Sequence, residues 1–416
     1  MPDEQRKSLK WYYLLVGSNG AFAACIFGDG LFPLYLSELG LSPERIGWVV
    51  GMIPFMQVLA LVGTPLIERL GYRRSYFIFY GSRKFTIMAL ILAPWVLQAF
   101  GPGPLFIFLV MSILLFSVQR SLGETAFYPW LKDAIPDEIR GHAQGRAFQF
   151  GTSAAIMGLA LAGLLVEHQQ GLGLGRFGGY QLAYLFFAFV GIVGVLASQR
   201  MSGGNTADGH SDLPRFWSRL HEPLRDRRFL GFILGAGVLQ GSMALIGTFL
   251  TLYGRDILDI SSGRMVHVSI ASMVGGALTV GWWGRTSDRQ GSRRVLTCTL
   301  LAMACMPIGW ILLAALPQKA QLPGLICAYL LFGGVYYGAI VASFRLMYNA
   351  IVPEGKKGEY LAIRYAVVGI VAGSIPAVAG VSVGLFQGFS PTVFGVSLNP
   401  FTPLFCALIL VWAGTA

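Results

Sequence analysis

Charged residues are scarce in this chain. Asp, Glu, Lys and Arg make up 12% of its 416 residues, against about 25% in an average soluble domain. Hydrophobic residues make up 55%, and the mean hydropathy is +0.62. So little charge cannot cover a soluble surface, and the composition excludes a soluble globular protein. It indicates an integral membrane protein of many helices, in which 54 glycines allow helices to approach closely.

Residues that could build a catalytic or metal site are also few. The five cysteines lie in apolar stretches without metal-ligand spacing, which favours buried, inert thiols: Cys25, Cys298, Cys305, Cys327 and Cys406. The histidines lie in loops or at the ends of apolar stretches, again without such spacing: His142, His168, His210, His221 and His267. No nucleophile–base pair stands near a predicted membrane face. We therefore expect no enzyme, no metal and no cofactor other than a coupling proton.

Apolar stretches of about 20 residues, the length that crosses a bilayer, occur in two sets of six. The first set lies near 11–38, 43–67, 75–99, 104–131, 143–167 and 180–199, and the second near 229–253, 265–284, 295–316, 322–350, 360–387 and 400–416. Between them, residues 200–228 are rich in Arg, Asp, Gly and Ser, which predicts a solvated linker that is flexible at its start. We call these stretches spans 1 to 12.

The predicted fold is therefore an all-α polytopic membrane protein with twelve transmembrane helices. Its N-terminal six-helix bundle would cover 1–199, its cytoplasmic linker 200–228 and its C-terminal six-helix bundle 229–416. The last apolar stretch is short and ends without a polar tail, so we expect the natural C-terminus to lie further on.

The basic residues predict the orientation. A cytoplasmic N-terminus places most loop Lys and Arg residues on the inner side and leaves five outside: Arg45, Arg176, Arg255, Arg264 and Lys319. This is a strong positive-inside bias, so the formal net charge of +11 requires no nucleic-acid partner. We expect a monomer in the plasma (inner) membrane of the cell, with the lipid bilayer and a small-molecule substrate as its partners.

A short basic loop occurs once in each half of the chain. The copies are TPLIERLGYRR at 64–74 and GRTSDRQGSRR at 284–294. They share the order acid, Arg, spacer, Gly, spacer, Arg, Arg, which falls on Glu68, Arg69, Gly71, Arg73 and Arg74, and on Asp288, Arg289, Gly291, Arg293 and Arg294. Each copy separates two apolar stretches. An internal duplication of this kind is typical of membrane transporters built from repeats.

In this loop the chain resembles the major facilitator superfamily. The family signature between spans 2 and 3 reads Gly-x-x-x-Asp-Arg-x-Gly-Arg/Lys-Arg/Lys, and a weaker copy lies between spans 8 and 9. Here the second copy matches better, with Gly284 and Asp288 in place, whereas Thr64 and Glu68 depart from the pattern in the first. The resemblance covers the whole chain and implies a secondary transporter with two six-helix halves.

The two loops are candidate gates. A carboxylate at a helix end can pair with an Arg on a neighbouring helix and with a helix dipole, and such a pair can close the cytoplasmic side in one state. Gly71 and Gly291 would allow a tight turn. The alternative is that both loops only anchor the topology.

Ionisable residues inside spans are further candidates, because inserting one costs about 2.5–3.5 kcal/mol. Asp29 lies between glycines in span 1, and Arg120 and Glu124 lie one turn apart in span 4. The resemblance implies that spans 1, 4, 7 and 10 line a central cavity, where Asp29 or Glu124 would bind a proton or a polar substrate. Desolvation favours the protonated form of Glu124, whereas a nearby Arg favours its ionised form. The alternatives are a carboxylate satisfied at a glycine kink and a self-neutralising i,i+4 pair.

Further residues of the spans could take part. Polar side chains that could reach the cavity are Gln57, Gln149, Gln240, Tyr336, Tyr337, Arg345 and Asn349. Arg345 and Asn349 are equally well explained as an interfacial anchor, and the tyrosines as ordinary lining. Arg364 is interpreted as a helix-end charge, Lys84 as a side chain that snorkels to the inner surface, and Arg83 as another partner for Glu124.

These features favour proton-coupled symport of a polar solute such as a sugar or nucleoside. Sugar–proton symporters of the superfamily often carry an Asp in span 1 and an acid in span 4, as Asp29 and Glu124 do here. The alternative is a proton-coupled efflux antiporter of drugs or lipophilic compounds, because the segment from Arg120 to Gly123 is similar to the span-4 motif of those antiporters. Their span 5 carries a Gly-Pro pair, however, whereas span 5 here reads GTSAAIMGLALAGLL. A third class, a membrane receptor or sensor, would need a large soluble segment, and this requirement argues against it here.

Overall fold

The computed structural model describes residues 3–27, 30–204, 220–352, 357–393 and 396–416. Ten helices precede the linker: α1 (Asp3–Phe27), α2 (Leu31–Glu38), α3 (Pro43–Phe55), α4 (Ala60–Leu70), α5 (Tyr72–Ser75), α6 (Gly81–Met88), α7 (Ala93–Phe100), α8 (Pro102–Ala134), α9 (Asp137–Glu167) and α10 (Gly178–Ser198). Short 3₁₀ turns at Met56–Leu59 and Ala89–Leu92 and a π turn at Tyr76–Tyr80 continue some of these helices into longer rods.

Eight further helices lie within the described residues after position 219. They are α11 (His221–Arg225), α12 (Arg227–Leu245), α13 (Thr251–Asp256), α14 (Ser262–Gln290), α15 (Ser292–Leu313), α16 (Gln318–Leu346), α17 (Lys357–Leu385) and α18 (Thr402–Thr415), with π turns at Ile246–Leu250 and Met347–Ile351. Two strands, β1 (Thr392–Val393) and β2 (Val396–Ser397), pair antiparallel before α18. The prediction of an all-α chain missed this ladder of four residues.

Ten helical segments of the described residues are long and apolar enough to cross a membrane. They are Pro43–Gly63, Tyr72–Phe100, Pro102–Ala134, Ile139–Glu167, Gly178–Ser198, Arg227–Asp256, Ser262–Gln290, Ser292–Leu313, Gln318–Leu346 and Tyr360–Leu385. These correspond to the predicted spans 2 to 11 and confirm a polytopic helical membrane protein. The first predicted span is divided between α1 and α2, and α18 has only 14 residues. The total of twelve spans stays a prediction.

Contacts group the chain into two units. Unit 1 comprises Met1–Gly28, Met52–Arg225 and Gly358–Ile370, and unit 2 comprises Asp29–Gly51, Asp226–Lys357 and Val371–Ala416. Each unit therefore combines most of one sequence half with a shorter part of the other.

In unit 1, α1 packs closely against α9 and α10. A Cβ atom on Gly20 would overlap the backbone of Gly151, so the helices meet at bare backbone. Near one end of this unit, Trp130 donates a hydrogen bond to the Ser202 carbonyl at 3.1 Å, and Met201 is buried. Residues 201–204 are therefore packed within unit 1, and the flexibility expected of the linker stays a prediction. Residues 205–219 lie outside the described residues.

The cysteines also correct an expectation. Cys298, Cys305, Cys327 and Cys406 are exposed on their helices, and the side chain of Cys25 lies outside the described part. An apolar setting does not imply burial within the protein here, since the outer faces of membrane helices are themselves apolar.

Candidate functional site

Arg120 and Glu124 form an ion pair within α8. Arg120 Nε donates to Glu124 Oε1 at 2.8 Å, and the two side chains are 25% and 34% exposed. They continue, at intervals of one turn, the face of α8 that carries the fully buried Phe116. The predicted pair is present in the structure, and both of its side chains are partly exposed.

Arg83 and Lys84 lie next to this pair and deeper in unit 1. They are 2% and 0% exposed. Asn19 Oδ1 accepts hydrogen bonds from Arg83 Nη2 at 2.6 Å and from Lys84 Nζ at 3.1 Å. One amide oxygen of α1 thus serves two cations of α6.

Aromatic rings complete the surroundings of these cations. The Arg83 guanidinium carbon lies 3.4 Å from the centroid of the Tyr80 ring, and Lys84 Nζ lies 3.2 Å from that of Phe22. Such contacts stabilise cations that have lost their water. Phe116 is also near, with its centroid 5.5 Å from the guanidinium carbon.

The expectation that Lys84 snorkels to the surface is wrong. Its carbon stem passes Gly191 of α10, where a Cβ atom would lie 3.0 Å from Lys84 Cδ, so the ammonium group points into the helix bundle. Arg83 interacts electrostatically with Glu124, although no ion pair joins them among the described residues. Sequence reasoning missed Asn19, whose amide in the apolar α1 was the available signal.

The second basic loop carries an ion pair of the kind predicted for a gate. Arg345 of α16 donates to both carboxylate oxygens of Asp288 in the last turn of α14, and to the Gly284 carbonyl at 3.1 Å. Gly291 follows with φ at 87°, a conformation that favours glycine. Arg289, Arg293 and Arg294 are exposed. Arg345 therefore lies with the loop, and its proposed contact with substrate stays a prediction.

The first basic loop is held in another way. Arg73 donates from its side chain to the Gln199 carbonyl and from its backbone to the Gly204 carbonyl, the latter at 2.9 Å. Gly71 has φ at 82°. Arg69 and Arg74 are exposed, and the side chain of Glu68 lies outside the described residues. This loop is thus fastened to the start of the linker.

Breaking the Arg345–Asp288 pair should open the region around the second loop. Ser287 is buried and its hydroxyl lies 2.8 Å from that of Ser292, so a cysteine at position 287 in a cysteine-free chain reports opening. We expect Arg345→Ala to raise its rate of thiol labelling about two- to fivefold, the range for an exposed pair worth up to about 1 kcal/mol. The exchange of Asp288→Arg with Arg345→Asp should restore slow labelling, and Arg289→Ala is the control. Equal labelling in all variants would contradict a gate.

The weaker candidates are spread over both units. In unit 1, Gln57 lies against Gly369, whose Cβ would be 2.8 Å from that of Gln57. Gln149 is exposed and Gln240 half-buried. Asp29 and the side chain of Asn349 lie outside the described residues. The cavity roles of all four polar side chains and of Asp29 stay predictions.

The two tyrosines of α16 take part in packing. Tyr336 is buried and stacks on Phe332 at 5.6 Å between centroids, and Tyr337 meets Tyr336 edge to face. This arrangement fits the alternative of ordinary lining, and a role in binding stays a prediction. Arg364 is 8% exposed and lies about two turns inside the start of α17 at Lys357, so its interpretation as a helix-end charge stays a prediction.

A polar cluster at the predicted outer side of unit 2 was missed from the sequence. Arg255 at the end of α13 contacts Asp256 at 2.6 Å, donates to Ser37 Oγ at 2.5 Å and lies 4.0 Å from Glu38. Ser262 donates to the same Glu38 carboxylate at 3.0 Å. The cluster ties the end of α2 to the turn between α13 and α14. The only feature of the sequence that could have indicated this cluster is the presence of charged residues at the ends of predicted loops.

Membrane-length helices, ionisable residues buried among them and a duplicated basic loop define a membrane carrier. The family model of the Major Facilitator Superfamily matches residues 15–377, and the chain therefore belongs to the major facilitator superfamily. Membership makes the protein a transporter rather than an enzyme.

Solved structures of this fold cover nearly the whole chain. A point mutant of the nucleoside transporter NupG has 13% identity, covers 99% of this chain and 98% of its own, and has a TM-score of 0.71. A bacterial homolog of the human lysosomal transporter Spinster, inward-facing and unoccupied, has 15% identity, coverage of 100% and 94%, and a TM-score of 0.69. A D-xylose–proton symporter has 14% identity, covers 98% of this chain and 95% of its own, and has a TM-score of 0.66. At these identities the likeness shows the fold alone.

One curated relative matches part of the chain. Autophagy-related protein 22-1 of Phaeosphaeria nodorum (strain SN15 / ATCC MYA-4574 / FGSC 10173) is 25% identical over 163 residues. The match covers 37% of this chain and 29% of that protein.

Proposed function

We propose that this transporter is a proton-coupled symporter of a polar solute such as a sugar or nucleoside, working by alternating access. The observation that carries the proposal is the Arg120–Glu124 pair, which is partly exposed within a membrane-length helix. Two structures of similar fold are named for a nucleoside and for D-xylose with a proton, which supports a polar solute.

The pair suggests how coupling would work. Ionised Glu124 holds the Arg120 guanidinium in an intrahelical pair. A proton on Glu124 removes the charge that holds Arg120, so the Nε–H donor that Glu124 occupies becomes available to oxygen atoms of a solute. The proton and the solute would then bind together, which is what symport requires.

Alternating access would also need contacts that break during the cycle. The Arg345–Asp288 pair of the second basic loop is one candidate, and the polar cluster around Arg255 is the other. We keep the plasma membrane, the cytoplasmic N-terminus and the monomer as part of this proposal, with a proton as the coupling ion and no cofactor.

The test is thermal stabilisation of the purified protein by sugars, nucleosides, organic anions and lipophilic cations, at acidic and neutral pH. We expect a polar solute to stabilise the wild type more strongly at acidic pH, and Glu124→Gln to lose that pH dependence because an amide cannot take up the coupling proton. Asp133→Asn is the matched control, since it removes an exposed carboxylate from the same helix. Stabilisation by lipophilic cations alone, again dependent on Glu124, would instead favour the efflux antiporter.

A further inference from the structure

Positive charge is in excess around the buried end of the candidate site. Lys84, Arg83 and Arg120 interact electrostatically in sequence, and Glu124 interacts with both arginines. Across the residues that the structure describes, three cations in this region therefore face a single carboxylate. Burying a charge without a counter-charge is strongly unfavourable within a membrane protein. Packing alone would be better served by neutral side chains, so the excess positive charge points to a functional role for these cations.

The hydrogen bonds of the two buried cations are also incomplete. An ammonium group has three donors and a guanidinium five, yet a single oxygen, Asn19 Oδ1, accepts from both Lys84 and Arg83. Arg83 Nε is buried without a hydrogen-bond partner in the structure as described. Aromatic rings offset part of the lost hydration, but they do not accept the remaining N–H groups as a carboxylate or phosphate oxygen would.

The partly exposed end of this charged region lies on α8. Arg120 and Glu124 are partly exposed, whereas Arg83 and Lys84 lie behind them in the same electrostatic region. Gly123, which sits between Arg120 and Glu124 in the sequence, lets the Tyr80 ring pack directly on the α8 backbone, because a Cβ there would lie 2.7 Å from Tyr80 Cδ2. The ring that stacks on Arg83 thus also borders the exposed pair.

We infer that the substrate carries an acidic group, a carboxylate or a phosphate, and that Arg83 and Lys84, with Arg120, bind it. The oxygens of the acidic group would accept hydrogen bonds from the N–H groups that Asn19 leaves without an acceptor, and their negative charge would balance the excess positive charge. This inference rests on the proposed function and narrows its polar solute to an acidic one, such as a sugar acid or a nucleotide. In the absence of the acidic substrate, Asn19 would keep the two cations close together by accepting a hydrogen bond from each.

Matched pairs of compounds provide the probe. Glucose is compared with glucuronate and glucose 6-phosphate, and uridine with uridine monophosphate, by thermal stabilisation and calorimetry of the full chain in phosphatidylcholine nanodiscs. We expect the wild type to bind an acidic member at least about tenfold more tightly than its neutral counterpart, as expected for one charge-assisted contact. Arg83→Gln and Lys84→Met should each remove most of this preference, and Lys319→Met, which removes an exposed cation, should keep it.

Asn19→Asp separates binding from a merely structural role. It leaves both cations in place but supplies an internal carboxylate at the position of the amide oxygen that they share. Binding of the acidic compound should therefore fall about tenfold or more in a protein that is folded and at least as stable as wild type. Unchanged acid binding in Asn19→Asp would overturn the inference, even if Lys84→Met failed to fold.

The remaining outcomes distinguish this inference from the proposed function. Binding of neutral glucose or uridine that depends on Glu124 but not on Arg83 or Lys84 would overturn the inference and keep the symporter. Acid binding that depends on Arg83 and Lys84, but not on pH or Glu124, would keep the inference and overturn proton coupling. Stabilisation by phosphatidylglycerol alone, lost in Lys84→Met, would assign the acidic group to a lipid headgroup and overturn a soluble substrate.

Discussion

Gly333→Val should leave little folded protein. A Cβ atom at this position of α16 would overlap the Ser272 carbonyl oxygen and lie within 2.6 Å of the Ser272 Cα of α14. The opposing atoms are backbone, so no rotamer change can relieve the contact, and the helices would have to separate. Overpacking in a core typically costs about 1–3 kcal/mol, and we expect a cost of about 3 kcal/mol or more here because backbone opposes the new atoms.

The contact is reciprocal, which is why its effect should be large. Gly275 of α14 lies against the backbone of Leu330, and Gly338 of α16 lies under the Trp283 ring, whose indole nitrogen donates to the Gly334 carbonyl at 2.7 Å. Separation of the helices at Gly333 would disturb all of these contacts together. Close approach at small residues is a main source of helix association in membranes.

The measurement is the yield of monodisperse protein in detergent and its melting temperature. Gly281→Val in α14 is the matched control, because a Cβ there meets nothing within 4 Å while the change in helix propensity is the same. We expect Gly281→Val to purify normally and Gly333→Val to be lost or to melt far lower. Equal behaviour of the two variants would show that the glycine contact does not hold the helices together.

The sequence was informative about topology because the bilayer itself imposes a pattern. Span length, the charge of the loops and the repeated basic loop predicted the ten membrane-length helices of the described residues. It could not show which glycines matter. Among 54 glycines, Gly333 and Gly281 have similar apolar neighbours along the chain, and only the positions of other helices separate them.

The candidate site was predicted only where its contacts are local. Arg120 and Glu124 are four residues apart, so helical periodicity alone brought them together. The Arg345–Asp288 pair and the Asn19 contacts join distant helices, and nothing in the spacing of these residues indicates which partners meet. Lys84 was misjudged for a related reason, since the direction of its side chain depends on Gly191 of another helix.

Asn19→Leu should be the most damaging single change in unit 1 that adds no steric overlap to the backbone. The substitution keeps a similar volume but removes the one oxygen that Arg83 and Lys84 share. Leaving buried donors without their acceptor typically costs about 1–3 kcal/mol, and more where the donors are charged, because their lost hydration is no longer offset. We expect a loss of that order in the free energy of unfolding.

Replacing one of the buried cations, instead of Asn19, should leave the stability of the protein unchanged or raise it. Lys84→Met preserves most of the side chain's length and packing, which is apolar along Gly191 and Phe22, and removes a buried charge. Exchange of buried charged groups for apolar residues of similar volume is often neutral or stabilising. We therefore expect Lys84→Met to melt at or above the wild-type temperature, and the double variant with Asn19→Leu to recover part of the loss.

The three variants can be compared with wild type by thermal melting in the same detergent without added solute. A similar fall in melting temperature for Asn19→Leu and Lys84→Met would contradict the argument, since it would mean that the ammonium group stabilises the fold. A gain for Lys84→Met together with its loss of acid binding would mean that the buried charge is kept at the expense of stability for the sake of the substrate. Natural proteins accept such an exchange at functional sites, and a residue with only a structural role would not show it.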